Sequence, residues 1–210
     1  MIIKLCGMRR PEDIGYVNQA KPDFIGFILA EGYRRTISVE QAAKLASSLD
    51  SGIKPVGVFI DQPPEFLGSA VERIGLYAVQ LHGNEDSEYI SRLRNLTSAK
   101  IWKAARVRTE EDIRQADSIG ADMLVLDSFS PDAHGGTGKT ADWELIKSVK
   151  TVTPYLLAGG IDINNIEEAM KILRSGCGID VSSGIETDGI KDLGKIKAIL
   201  NIVRKVDKYV

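Results

Sequence analysis

Histidine and cysteine are scarce: the 210 residues contain two of each. Cys6 and Cys177 have neither metal-ligand spacing nor the numbers for a disulfide framework, which fits a chain from a reducing compartment. With only His82 and His134 available, a metal site needing several histidines at one mouth is a poor reading. Charge of one sign is also lacking. Lys and Arg total 27 against 29 Asp and Glu, a net of -2, so no bulk field points to nucleic acid or an anionic membrane. No apolar run approaches the roughly 18–20 residues that span a bilayer. Met1-Ile2-Ile3-Lys4-Leu5-Cys6-Gly7 reads as a strand rather than as a cleavable leader, so a cytoplasmic protein is expected. No linker or composition break divides the chain, and residues 1–210 are read as one domain.

Alternation dominates what is present. Short β-branched runs at 2–6, 24–28, 55–60, 78–81, 100–104, 123–126, 155–158 and 178–181 read as eight strands separated by amphipathic stretches of helical length. Pro11 suits a first helical position. Ser38 with Gln41, Thr109 with the acidic run 110–112, and Asn164 with Glu167 read as capping boxes. Strict β/α alternation predicts parallel strands joined by right-handed crossovers, and eight units in this length predict a single-domain (β/α)8 TIM barrel. The rival, an open doubly wound sheet, would carry a G-x-G-x-x-G fingerprint. The first strand instead ends Cys6-Gly7-Met8-Arg9-Arg10-Pro11. Gly138-Lys139-Thr140 fails as a P-loop because Ala133 stands where its first glycine belongs. Residues 134–140 read instead as a loop closing over the barrel mouth.

Barrels of this kind carry their chemistry at the C-terminal ends of the strands. Cys6 ends the first, either as a small core hydrophobe or as a thiolate that needs cations nearby, with Arg9 and Arg10 close in sequence. The loop after the second strand carries Arg34 and Arg35, either a solvated edge or an anion clamp. Gln80 and His82 share one face at the end of the fourth strand, a polar pair suited to positioning a substrate. Asp127 closes the sixth apolar run, as a loop salt bridge or as a general acid with a raised pKa. Gly159-Gly160 after the seventh strand and Ser182-Ser183-Gly184 after the eighth expose backbone N–H groups that can cradle phosphate.

With those segments assembled, the chain resembles the phosphoribosylanthranilate isomerase family. The likeness is carried by Lys4-Leu5-Cys6-Gly7-Met8, Gly26-Phe27-Ile28, Arg35-Thr36-Ile37-Ser38, Val56-Gly57-Val58-Phe59, Val79-Gln80-Leu81-His82-Gly83, Leu126-Asp127, residues 135–143, Leu157-Ala158-Gly159-Gly160-Ile161 and Asp180-Val181-Ser182-Ser183-Gly184-Ile185-Glu186. It implies an Amadori rearrangement of N-(5′-phosphoribosyl)anthranilate in tryptophan biosynthesis, without a cofactor. By the same resemblance, Cys6 is the general base, Asp127 the general acid and Arg35 the clamp on the anthranilate carboxylate. Gly159, Gly160, Ser182, Ser183 and Gly184 would hold the phosphate. Tyr33-Arg34-Arg35 departs from the family's usual residues before the arginine, which leaves Arg34 able to share the clamp. The implied partner is a small phosphosugar, with neither nucleic acid nor membrane, and the chain is expected as a monomer or a homodimer. The alternatives are indole-glycerol-phosphate synthase, for which Lys103 would be the catalytic lysine, and a non-catalytic phosphosugar-binding barrel.

Overall fold

A computed structural model of the chain describes residues 1–128 and 143–206. The loop read at 134–140 lies outside them. Strands β1 (Ile2–Cys6), β2 (Phe24–Ile28), β3 (Lys54–Phe59), β4 (Ala78–Leu81), β5 (Lys100–Val107), β6 (Met123–Ser128), β7 (Tyr155–Ala158) and β8 (Gly178–Val181) form a closed parallel barrel in sequence order. Closure is made by β1 against β8, with Lys4 opposite Asp180. Helices α1 (Pro11–Ala20), α2 (Val39–Ala46), α3 (Pro64–Ile74), α4 (Ser87–Arg94), α5 (Glu110–Ser118), α6 (Trp143–Ser148) and α7 (Ile166–Lys171) follow their strands in turn, and α8 (Leu193–Val206) ends the series.

Two apolar layers result from the period of two along each strand. One side of the strands joins the helices in the main core, through residues such as Leu5, Ile25, Leu81, Ile101 and Leu126. The other side fills the barrel with Phe24, Val56, Ala78, Trp102, Ala104, Val125, Leu156 and Ala158. Phe24 meets Trp102 edge-on, with ring centroids 5.0 Å apart. Above that plug the inward positions turn polar, and the site begins there.

Several helix starts form as their residues dictate. Pro11 opens α1, and Ser38 with Gln41 and Thr109 with Asp112 make reciprocal capping boxes. Asn164 does not cap α7. Asn165 stands at its N-cap, and its side chain accepts from the Asp162 N–H and donates to the Gly160 carbonyl, both at 2.9 Å. That side chain therefore braces the loop after β7. Strands β5 and β6 run beyond the apolar runs 100–104 and 123–126, because Arg106 and Asp127 continue the ladder as partners. Polar residues at a strand end hide that extension from a hydrophobic pattern. After β8 comes a short 3-10 turn, Ser183–Ile185, and then a hairpin of β9 (Glu186–Thr187) and β10 (Ile190–Lys191). Asp188 and Gly189 turn it, with φ of 50° and 75°, the Asp-Gly pairing that a two-residue hairpin favours.

Candidate active site

A cavity of about 340 Å³ opens at the C-terminal end of the barrel. Cys6, Arg35, Gln80, His82, Asp127, Gly159, Gly160, Ser182 and Ser183 all line it, and Asp180 joins them. Gly184 does not. Its Cα sits where a side chain would come within 2.0 Å of the Ile161 carbonyl, so it lets the β7 and β8 loops pack together.

Cys6 owes its place to the strand next door. Gly26 lies opposite it in the ladder, and a Cβ there would stand 2.6 Å from the Cys6 Sγ. The Gly26 carbonyl also accepts from the N–H groups of Gly7 and Met8, which turns the chain out of β1. Gly26→Ala is expected to push the thiol off its axis, lowering kcat at least about tenfold at a cost of about 1–3 kcal/mol in stability. Steady-state kinetics and a thermal melt check both.

Burial pushes the Cys6 thiol up, Lys4 pulls it back, Asp180 pushes it up again and Lys191 pulls it down. The net is upward. Arg9 and Arg10 give no such help. Arg9 donates to the carbonyls of Arg34 and Gly189, while Arg10 clamps the buried Asp13. Lys4, two residues back on β1, Lys191, brought in from the far end of the chain, and Arg35 are the cations near the thiol.

Asp127 lies on the inward face of β6, in line with Val125. Burial raises its pKa, Asp180 adds to the rise and Arg106 opposes it. His82 is held below its ordinary value, first by burial and then by Lys4. Gln80 Nε2 lies 3.4 Å from His82 Nδ1, so a donating amide leaves the imidazole proton on Nε2.

Arg35 reaches the cavity on a prepared mount. Glu186 receives its Nε and Nη2 hydrogens at 2.6 and 2.7 Å, Arg34 Nη2 at 2.8 Å and Lys191 Nζ at 2.8 Å. Burial would raise the Glu186 carboxyl, but Arg35 and then Lys191 overcome it and hold the pKa at about 2. Its contribution to stability is therefore complete above the ordinary carboxylate range and is lost as pH falls toward 2. Glu186→Gln is expected to lower Tm at neutral pH by roughly 5–10 °C, because several cations lose one partner. KM should rise about tenfold as Arg35 loosens. The two proteins should converge in stability only as pH falls to about 2 and below, in parallel melts.

Lys103 stands apart from this group. It faces the helix layer and donates to Glu85 Oε2 at 2.8 Å and the Gly83 carbonyl at 2.6 Å. Glu85 in turn accepts from the N–H groups of Asp61 and Gly83. The pair braces the loop after β4, and Lys103 does not line the cavity with Cys6, contrary to what the synthase alternative needs. Among the described residues, no group of three or more His, Cys, Asp or Glu is placed to hold a metal ion.

A buried thiol, a carboxyl of raised pKa and two glycine-bearing loops meet at the mouth of one (β/α)8 barrel, the place where enzymes of this fold carry their chemistry. The family model described as N-(5'phosphoribosyl)anthranilate (PRA) isomerase matches residues 3–202. The chain is 42% identical over 204 residues to N-(5'-phosphoribosyl)anthranilate isomerase of Thermoanaerobacter sp. (strain X514), covering 97% of this chain and 98% of the relative. It is similar to the crystal structure of phosphoribosyl anthranilate isomerase from Thermotoga maritima, with a TM-score of 0.86, 31% identity and coverage of 98% and 100% of the two chains. A further isomerase structure, in complex with reduced 1-(o-carboxyphenylamino)-1-deoxyribulose 5-phosphate, aligns with a TM-score of 0.83 at 28% identity, covering 98% of this chain and 100% of that one. The chain belongs to the N-(5'-phosphoribosyl)anthranilate isomerase family. It is an isomerase of tryptophan biosynthesis.

Proposed function

We propose that Asp127 and Cys6 divide the proton transfers of the Amadori rearrangement between them. Neutral Asp127 gives its proton to the furanose ring oxygen as the C1′–O bond breaks and the anilino nitrogen forms an iminium. The Cys6 thiolate then takes the C2′ proton, leaving an enaminol. Protonation at C1′ and loss of the 2′-hydroxyl proton complete the ketose, and one proton passing through solvent from the Cys6 thiol to the Asp127 carboxylate restores the starting pair. Arg35 binds the anthranilate carboxylate with the N–H edge that Glu186 leaves open, and Arg34 shares the same carboxylate mount. Gln80 and His82 position the sugar. Backbone N–H groups around Gly159, Gly160, Ser182 and Ser183 receive the phosphate, and Gly184 serves that cradle by keeping its two loops in contact.

The observation that carries this reading is the convergence of Cys6, Asp127 and Arg35 on one small cavity from three separate elements. The whole chain, 1–210, is taken as one barrel working in the cytoplasm as a monomer or homodimer. In support, no described helix is long and apolar enough to cross a membrane, and a Thermotoga maritima relative is known as monomers generated from a dimeric isomerase.

The pKa directions set a testable profile. The base carries a raised thiol pKa and the acid a raised carboxyl pKa. The working pair, thiolate with neutral carboxyl, is one tautomer of a singly protonated site. A plot of log kcat/KM against pH should be a broad bell. Its acid limb, where Asp127 and Cys6 are both protonated, should lie above the ordinary aspartate range. Its basic limb, where both are ionised, should lie above the ordinary thiol range. A limb at neutral pH set by His82 would contradict the assignment.

A further inference from the structure

Two charged side chains inside the barrel are not accounted for by packing. Lys4 is fully buried and Asp180 is 7% exposed, and they meet at 2.7 Å, Nζ to Oδ2, on the closing pair of strands. A buried pair of this kind returns little net stability, since desolvation of both ions offsets their attraction. Three further features give the pair a direction. The Asp180 side chain lines the cavity, and its Oδ1 is buried with no hydrogen-bond partner among the described residues. Gln80 Oε1, across the same cavity, is an acceptor in the same condition. Lys4 lies two residues before Cys6 on the same face of β1, and Asp180 two before Ser182 on β8. An unsatisfied buried acceptor is unfavourable, and both of these belong to side chains that line the cavity.

We infer that the Lys4–Asp180 pair belongs to the isomerase site, with Asp180 Oδ1 accepting the 2′-hydroxyl hydrogen of the sugar and Lys4 acting as the positioning residue that aims it. This rests on Cys6 being the base for the C2′ hydrogen. The 2′-hydroxyl is on the same carbon, and Asp180 comes from the strand beside Cys6. Lys4 takes one carboxylate oxygen, which leaves the other directed at the ligand. The pair also sits among the titrating groups. Lys4, Asp180, Lys191 and Arg35 surround the Cys6 thiol, while Asp180 and Arg106 face Asp127. Lys4 and Asp180 thus act on the thiol with opposite sign, and Asp180 raises the pKa of its neighbouring acid.

The test compares Asp180→Asn with the double variant Lys4→Met/Asp180→Asn, since the single change leaves Lys4 without a counter-charge and the double change removes both ions. Each is read by isomerase kinetics and by the pH profile of iodoacetamide alkylation, followed by mass at the Cys6 peptide. In Asp180→Asn, kcat/KM should fall about ten- to hundredfold, as a lost hydroxyl contact requires. The alkylation midpoint should move down, because Lys4 then acts on the thiol unopposed. In the double variant the midpoint should return toward that of the unmodified protein while kcat/KM stays low. Rates within threefold of the unmodified protein in whichever variants fold, or an alkylation profile unmoved by Asp180→Asn, would overturn the inference. A fully active Cys6→Ser would instead remove the base assignment on which it rests. Asp180→Asn kinetics report the hydroxyl contact separately from that result.

Discussion

Asp127→Asn is expected to lose about two to four orders of magnitude in kcat, the usual worth of a placed general acid. The amide has the shape of the carboxyl but no transferable proton for the ring oxygen, so ring opening should become rate-limiting. KM should change by less than about threefold, because the phosphate loops and Arg35 are untouched. Stability should hold or rise. Asp127 is a carboxyl whose pKa is pushed up first by burial and next by Asp180, so its ionised form is unfavourable in the fold at neutral pH. An active-site substitution that destroys turnover without lowering Tm separates a chemical role from a packing one. A protein that loses activity and Tm together would point to packing.

Cys6→Ser carries the second large effect. The hydroxyl is close in size to the thiol and fits the space that Gly26 leaves open. It is not ionised at any pH the protein survives, so the C2′ proton has no acceptor. Turnover should fall by at least about a hundredfold across the whole pH range. A rate that recovered as pH rises would show that hydroxide or another side chain can take the proton. Binding of a product-like phosphosugar should persist in Cys6→Ser, as titration calorimetry would show. The two substitutions should also be strongly non-additive, since acid and base serve one reaction path.

Much of this architecture was legible in the chain itself. Apolar runs of four to six residues recur between helical stretches, and no other regular fold makes that pattern eight times in so short a length. The lining of the candidate site was legible wherever a polar residue interrupted an apolar strand at its end, as with Cys6, Gln80 and Asp127. Lys4 and Asp180 were overlooked because each looks like an ordinary charge near a strand edge. Only closure of β1 on β8 places them together, inside the barrel. The period of two, counted back from Cys6 and Ser182, sets both inward. The mount of Arg35 was hidden for a different reason. Glu186 and Lys191 lie about 150 residues beyond it and converge through a hairpin whose Asp188-Gly189 turn was the available signal. Asn165 was missed in favour of Asn164, because two adjacent asparagines offer the same capping chemistry and only the path of the β7 loop selects between them. Gly26 gives no signal at all from composition. Its meaning is a distance to the Cys6 Sγ, which exists only in the folded barrel.

The most direct test follows the emission of freshly prepared N-(5′-phosphoribosyl)anthranilate with the unmodified protein, Asp127→Asn and Cys6→Ser at equal concentration and matched fold. Rapid loss of emission with the unmodified protein and loss slowed at least about a hundredfold in both variants is the predicted result. Loss at the unmodified rate in either variant would contradict the acid–base pair at the centre of this account.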